Sequence, residues 1–148
     1  MAESVWDYPR PPRLEPTDRL IRVELAGRVV AETRGALRIL ETSHPPNYYI
    51  PLEDVDVVLL EPSSGRTTFC EWKGNATYFD VVVGERRAER AAWTYPDPTP
   101  PFEALRGHVS FYVAPMDRCT VDGEVATPED RPYYGGWVTS DVLVEGGS

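Results

Sequence analysis

The sequence predicts a mainly β protein: a single small domain of short antiparallel strands forming a closed or sandwiched sheet, with one or two short helical turns. Three observations lead there. Apolar and polar residues alternate over short runs, as half-buried strands require. Proline and glycine, 15 and 11 of 148 residues, interrupt the chain too often for long helices. Aspartate-glycine and alanine-glycine pairs stand between alternating runs, where tight hairpin turns belong.

Residues 1–18 are proline-rich and carry no periodic pattern, so they read as an extended arm on residues 1–148, either mobile or lying on the domain. Trp6 and Tyr8 favour docking. Leu20–Leu25, the Ala26-Gly27 pair and Arg28–Thr33 form a hairpin pattern. Ala36–Glu41 alternates weakly and suits a strand or a short helix, with the strand preferred. Thr42–Pro51 is held out of helix by its prolines and reads as a stiff loop. Val55–Leu60 reads as a buried strand, Pro62–Gly65 as a turn and Thr67–Trp72 as the next strand. Lys73-Gly74-Asn75 reads as a hairpin tip before a strand over Ala76–Val83. Gly84–Arg86 turns the chain into Arg87–Trp93, whose alanines and arginines suit helix as well as strand. Tyr95–Pro101 is a second rigid loop and Phe102–Arg106 a helical turn. His108–Val113 is a strand, Cys119–Ala126 a hairpin around Asp122-Gly123, and Gly135–Val142 a final strand.

Charge narrows the partners. A net charge of -9 argues against a nucleic-acid partner, because phosphate backbones are held by clustered positive charge. No apolar run approaches the roughly 20 residues that span a bilayer, so no membrane partner is expected. The start lacks a positive cluster followed by an apolar stretch, which predicts no export signal and a cytoplasmic location. In that compartment Cys70 and Cys119 are expected as free thiols. The partner expected is a small molecule; oligomeric state stays open.

Of the basic residues fourteen are arginine and one, Lys73, is lysine. A compact ammonium beside Cys70 would stabilise its thiolate. In an unbroken strand the two side chains project from opposite faces, so they converge only where the strand ends near Gly74. The plainer reading is a buried structural cysteine beside a surface lysine paired with Glu71. Two cysteines and two histidines lack close ligand spacing, so no metal and no cofactor are expected. His44, before Pro45, is held where a binding or acid-base group is useful; His108 reads as structural. Asp54 and Asp56 have the alternation of a magnesium-binding pair but no preceding glycine turn, and a turn-capping Asp54 with an exposed Asp56 fits as well. Tyr48, Tyr49, Trp72, Tyr78, Trp93 and Tyr95 fall near the proline loops and the tip. They suit the walls of a pocket for a planar or sugar-like ligand, or a core.

Glu41-Thr42-Ser43-His44-Pro45-Pro46 with Tyr49-Ile50-Pro51 and Asp54-Val55 forms one motif. Thr68-Phe69-Cys70-Glu71-Trp72-Lys73-Gly74 with Ala76 and Tyr78 forms a second, and Ala92-Trp93-Thr94-Tyr95 with Pro98 a third. Together they resemble the bacterial and fungal domain-of-unknown-function 427 family over nearly the whole chain, a family that carries a nucleotidyltransferase label. The resemblance implies a small, mainly β domain whose signature residues gather in one cleft, and marks Glu41, Asp54, Cys70, Lys73, Tyr78, Trp93 and Tyr95. The expectation is therefore a small-molecule enzyme with Cys70, Lys73, Glu41 and Asp54 as catalytic groups and His44, Tyr49, Tyr78, Trp93 and Tyr95 on the ligand. Lys73 would hold an anionic group or tune Cys70, and Glu41 or Asp54 would act as base. The competing expectation is a non-catalytic ligand-binding or protein-interaction module.

Overall fold

The structure is a computed structural model and describes residues 2–129 and 135–143. Its strands run as β1 (Glu3–Ser4), β2 (Arg13–Pro16), β3 (Ile21–Leu25), β4 (Arg28–Thr33), β5 (Leu37–Leu40), β6 (Asn47–Pro51), β7 (Leu60–Pro62), β8 (Thr68–Cys70), β9 (Gly74–Val83), β10 (Arg86–Thr94), β11 (His108–Phe111), β12 (Arg118–Val121), β13 (Glu124–Val125), β14 (Thr127–Pro128), β15 (Trp137–Val138) and β16 (Val142–Leu143). Short 3-10 helices occupy Val5–Asp7, Leu52–Asp54, Val57–Leu59 and Pro100–Leu105.

Two-residue turns with left-handed backbone set the register of the smaller sheet. Ala26 and Gly27 stand at φ 52 and φ 76 and join Leu25 to its partner Arg28. Asp122 and Gly123 stand at φ 50 and φ 84 and join Val121 to Glu124. Positive φ at both central residues gives a turn whose twist matches that of the strands it joins. The resulting sheet has the order β13-β12-β3-β4, and the larger one β2-β5-β6-β11-β10-β9-β7, with β8 also on β9.

One face of the large sheet packs on the small one. Ile21, Val23 and Leu25 of β3 and Val121 of β12 meet Tyr48 and Ile50 of β6, Val81 of β9 and Val109 and Phe111 of β11 in one buried cluster. Trp137 completes it, donating its indole N–H to the Phe111 carbonyl at 2.9 Å. Successive residues of a strand point to opposite faces, so Tyr49, between Tyr48 and Ile50, faces away from this core. It joins Ile39, Ala76, Trp93, Tyr95, Phe102 and Leu105 in a second buried cluster on the outer face.

The N-terminal arm docks: β2 pairs with β5, β1 runs parallel to β16, and Val5 and Tyr8 are buried. Trp6, expected to help, is 46% exposed. Three other expectations change. Asn47–Pro51, read as loop, is a central strand, because Pro46 lies before it and Pro51 ends it, so neither proline removes a donor from the strand interior. Val55–Leu60, read as a buried strand, is mostly a 3-10 turn with Val58 78% exposed. Gly135–Val142 is broken into β15 and β16, which pair with different strands.

Candidate functional site

The outer face of the large sheet carries a row of side chains at right angles to its strands. Tyr49 of β6 pairs with Ser110 of β11, Ser110 with Trp93 of β10, and Trp93 with Tyr78 of β9. Trp93 donates its indole N–H to the Tyr49 hydroxyl at 3.2 Å, and the two rings meet edge to face with centroids 6.1 Å apart. Tyr112 stacks at a tilt on Trp93, centroids 4.5 Å apart, and Tyr95 lies beside Tyr49 at 6.3 Å. Such contacts are each worth about 1 kcal/mol beyond area burial, and they hold the rings in place.

This row floors an open cavity of about 970 Å³. β8 forms one wall with Thr68, Phe69 and Cys70; Val113–Pro115 and Pro128, Glu129, Gly135 and Gly136 form others. The glycines are fitted to close approach: a Cβ on Gly135 would stand 2.1 Å from the Trp93 ring, and one on Gly136 would stand 2.7 Å from the Pro45 carbonyl. Burial raises the ionisation of Tyr49, Tyr95 and Tyr112 well above the usual phenol range, so these hydroxyls serve as hydrogen-bonding groups.

The tip that carries Cys70 and Lys73 is tighter than the alternation suggested. Cys70 pairs with Gly74, leaving Glu71, Trp72 and Lys73 as the turn. Gly74 stands at φ 111, and a Cβ there would come within 3.2 Å of the Asp97 carbonyl. Thr99 fastens the tip, donating its N–H to Lys73 O at 3.0 Å and its hydroxyl to Trp72 O at 2.5 Å. Cys70 is half-buried and lines the cavity. Lys73 is buried, its Nζ 5.9 Å from the centroid of the Tyr95 ring, and it is outside the cavity lining. The burial thus reverses the plainer sequence reading, in which the cysteine was inside and the lysine outside. Among the described residues Lys73 has no carboxylate partner.

Cys70, Tyr49, Tyr78, Trp93 and Tyr95 therefore come together around one cavity. Besides Lys73, the other three expected residues, Glu41, Asp54 and His44, do not line it. Glu41 faces Arg10, 3.8 Å away. Asp54 is exposed in the 3-10 helix Leu52–Asp54 and accepts the Thr33 hydroxyl proton at 2.6 Å, and Asp56 pairs with Arg28 at 2.8 Å. His44 is buried behind the wall, its Nδ1 3.3 Å from Glu129 Oε1, while Glu129 Oε2 accepts the Gly136 N–H at 2.9 Å. His44 thus touches the cavity-lining Glu129 without lining the cavity itself. Among the described residues no group of three His, Cys, Asp or Glu side chains is placed to hold a metal ion.

Arg90, Tyr112 and Glu129 were not anticipated as site residues. Arg90 stands on a bulge in β10: Ala88 opposes Val81 and Ala92 opposes Phe79, so three residues face Asp80 alone. Bulges of this kind bend a strand and re-aim a side chain. The sequence trace was the run of alanines and arginines in Arg87–Trp93, which suits helix as well as strand.

Fold and site together define a mainly β domain that carries an aromatic, small-molecule-sized cavity on one sheet face. The chain belongs to the domain-of-unknown-function family DUF427, whose model, named NTP_transf_9, matches residues 13–122. The match runs from the first residue of β2 to the β12–β13 turn, so it includes the aromatic row and the bulge; Glu129, Gly135 and Gly136 lie beyond it. No curated protein matches the chain.

Proposed function

We propose that this protein binds a small, partly planar organic molecule in the cavity on the outer face of the large sheet. The observation that carries the reading is the cavity's construction: about 970 Å³, with Tyr49, Trp93, Tyr95 and Tyr112 fixed by mutual ring contacts and a few polar groups at its edge. Small-molecule sites typically enclose about 300–1,000 Å³ with apolar and aromatic walls and few polar groups. Rings already held in place lose little side-chain entropy when a ligand stacks on them. The nucleotidyltransferase label of the family asks for carboxylates beside the substrate. Here Asp54 and Asp56 are engaged by Thr33 and Arg28 away from the aromatic row, so the reading is built on the cavity.

A second reading, chemistry on the bound molecule, is favoured by one observation: Cys70 is half-buried on the cavity wall, where a thiol can meet a ligand. It is the one member of the expected catalytic set that lines the cavity.

Equilibrium dialysis of a metabolite extract against wild-type protein and Cys70→Phe, which fills the cavity from its wall, tests the proposal. Enrichment of a planar compound by wild type alone is expected. Equal enrichment by both proteins, or none by either, would refute it. A compound recovered unaltered after long incubation marks a binding module; one converted by wild type but not by Cys70→Ala marks an enzyme.

A further inference from the structure

The β10 bulge places a guanidinium at the edge of the aromatic cavity, and several independent contacts keep it there. Arg90 has left-handed backbone, φ 49, a conformation that is costly for a residue other than glycine. The compensation is specific. Arg90 donates its N–H to Asp80 Oδ1 at 2.9 Å, while Asp80 Oδ2 accepts from Arg87 Nη1 at 2.8 Å. The side chain is held as firmly as the backbone. Its Cζ lies 4.0 Å from the centre of the Tyr78 ring, and Tyr78 is itself fixed by a 2.8 Å hydrogen bond between its hydroxyl and that of Thr68. Nη2 donates to the Arg66 carbonyl at 3.0 Å, and Gly65 gives the guanidinium room, since a Cβ there would be 3.0 Å from Nη1.

What this arginine lacks, among the described residues, is an acid. Its neighbours in β10 are neutralised, Arg86 by Asp117 at 2.9 Å and Arg87 by Glu61 and Asp80 at 2.9 and 2.8 Å. Among the described residues no carboxylate lies within ion-pair distance of Arg90. A guanidinium has five N–H donors, and stacking on an aromatic face leaves its in-plane donors available. Of the two acids among the described residues lining the cavity, Glu129 is hydrogen-bonded to Gly136 and close to His44, and Glu89 is exposed at the rim. An arginine braced by a bulge, stacked on a tyrosine and without a counter-charge among the described residues, beside an aromatic floor, has the makings of an anion receptor.

We infer that Arg90 reads an anionic group, a carboxylate or a phosphate, on the planar molecule held over Trp93 and Tyr112; this rests on the cavity being a ligand site. The test measures the affinities of naphthalene-2-carboxylate and naphthalene-2-carboxamide, equal in ring and size, for wild type, Arg90→Gln and Arg90→Lys by titration calorimetry, with thermal melts as the folding check. Wild type is expected to prefer the carboxylate at least about tenfold, as a charge-assisted, two-pronged contact should. Arg90→Gln should bring the ratio close to one with carboxamide affinity held within about twofold. Arg90→Lys should retain only part of the preference. A carboxylate preference unchanged in both variants would overturn the role of Arg90 while leaving the cavity reading intact. Equal binding of the two probes by wild type would do the same. Failure of both probes to bind wild type would remove the cavity reading and this inference with it.

Discussion

Replacing Asp80 by asparagine removes the keystone of the bulge while changing almost no volume. Asp80 is buried, accepts one hydrogen bond from the Arg90 amide and another from the Arg87 guanidinium, and faces three residues of β10 alone. Asparagine keeps one acceptor oxygen and turns the other into a donor aimed at a donor. The loss is one charge-assisted hydrogen bond, about 2 kcal/mol. For a chain of this size that corresponds to a fall of roughly 4–8 °C in Tm. Acid should close the gap. Burial pushes the Asp80 carboxyl up, but the hydrogen bonds from the Arg90 N–H and Ser63, with the Arg87 guanidinium, outweigh it and hold the group below the ordinary aspartate range. A carboxylate depressed in the folded state stabilises it above the unfolded pKa, near 4, and loses that contribution as pH falls through the folded value. Urea titrations of both proteins at pH 7 and at steps below pH 4 provide the assay. The two stabilities should differ by about 2 kcal/mol at pH 7 and converge on acidification. Equal stability at neutral pH, or a difference that persists at the lowest pH, would refute the assignment of Asp80 as the brace.

Three further outcomes follow from the same structure. Iodoacetamide at neutral pH should label Cys70 in the folded protein and leave Cys119 untouched until unfolding, because burial, with Glu24 adding to it, pushes the Cys119 thiol up to about 12; peptide mass mapping that finds Cys119 labelled first would contradict this. Gly74→Ala should destabilise more than Gly84→Ala by about 1 kcal/mol or more, since both have positive φ but only Gly74 faces backbone within 3.2 Å; thermal melts decide, and equal melting points would count against the tip geometry. Lys73→Met should leave the urea midpoint unchanged or raise it, because the burial of an ammonium with no acid partner among the described residues outweighs its contact with Tyr95; a loss above about 1 kcal/mol would show that the cation stabilises the tip.

The parts of the fold that were legible in the sequence are those fixed by local chemistry. Ala26-Gly27 and Asp122-Gly123 announce their hairpins because few residue pairs accept positive φ twice in succession. The Pro100–Leu105 turn and the aromatic residues near Pro45 and Pro98 were equally local. β6 was hidden because its flanking prolines read as a break, and only pairing with β5 and β11 shows that they mark its ends. Val57 and Val58 looked like core and are 50% and 78% exposed, since an apolar run does not state which neighbour will cover it. The site divides in the same way. Tyr49, Tyr78, Trp93, Tyr95 and Cys70 could be named from composition and motif. Arg90 could not, because its orientation depends on Asp80, ten residues earlier in another strand. Lys73 was conspicuous as the lone lysine, yet the turn around Trp72 buries it beside Tyr95, outside the cavity.

The central claim is that ligand meets the outer face of the large sheet, and the four tryptophans report on it directly. In a protein labelled with nitrogen-15, each indole N–H gives one resonance, assigned by Trp→Phe variants. Trp93 lies in the cavity floor with its N–H on Tyr49, Trp137 donates to Phe111 in the core between the sheets, and Trp6 is exposed near the N-terminus. Titration with naphthalene-2-carboxylate should shift the Trp93 indole signal saturably and leave those of Trp137 and Trp6 in place. A shift confined to Trp6 or Trp137, or a Trp93 signal that stays fixed at saturating probe, would contradict the account.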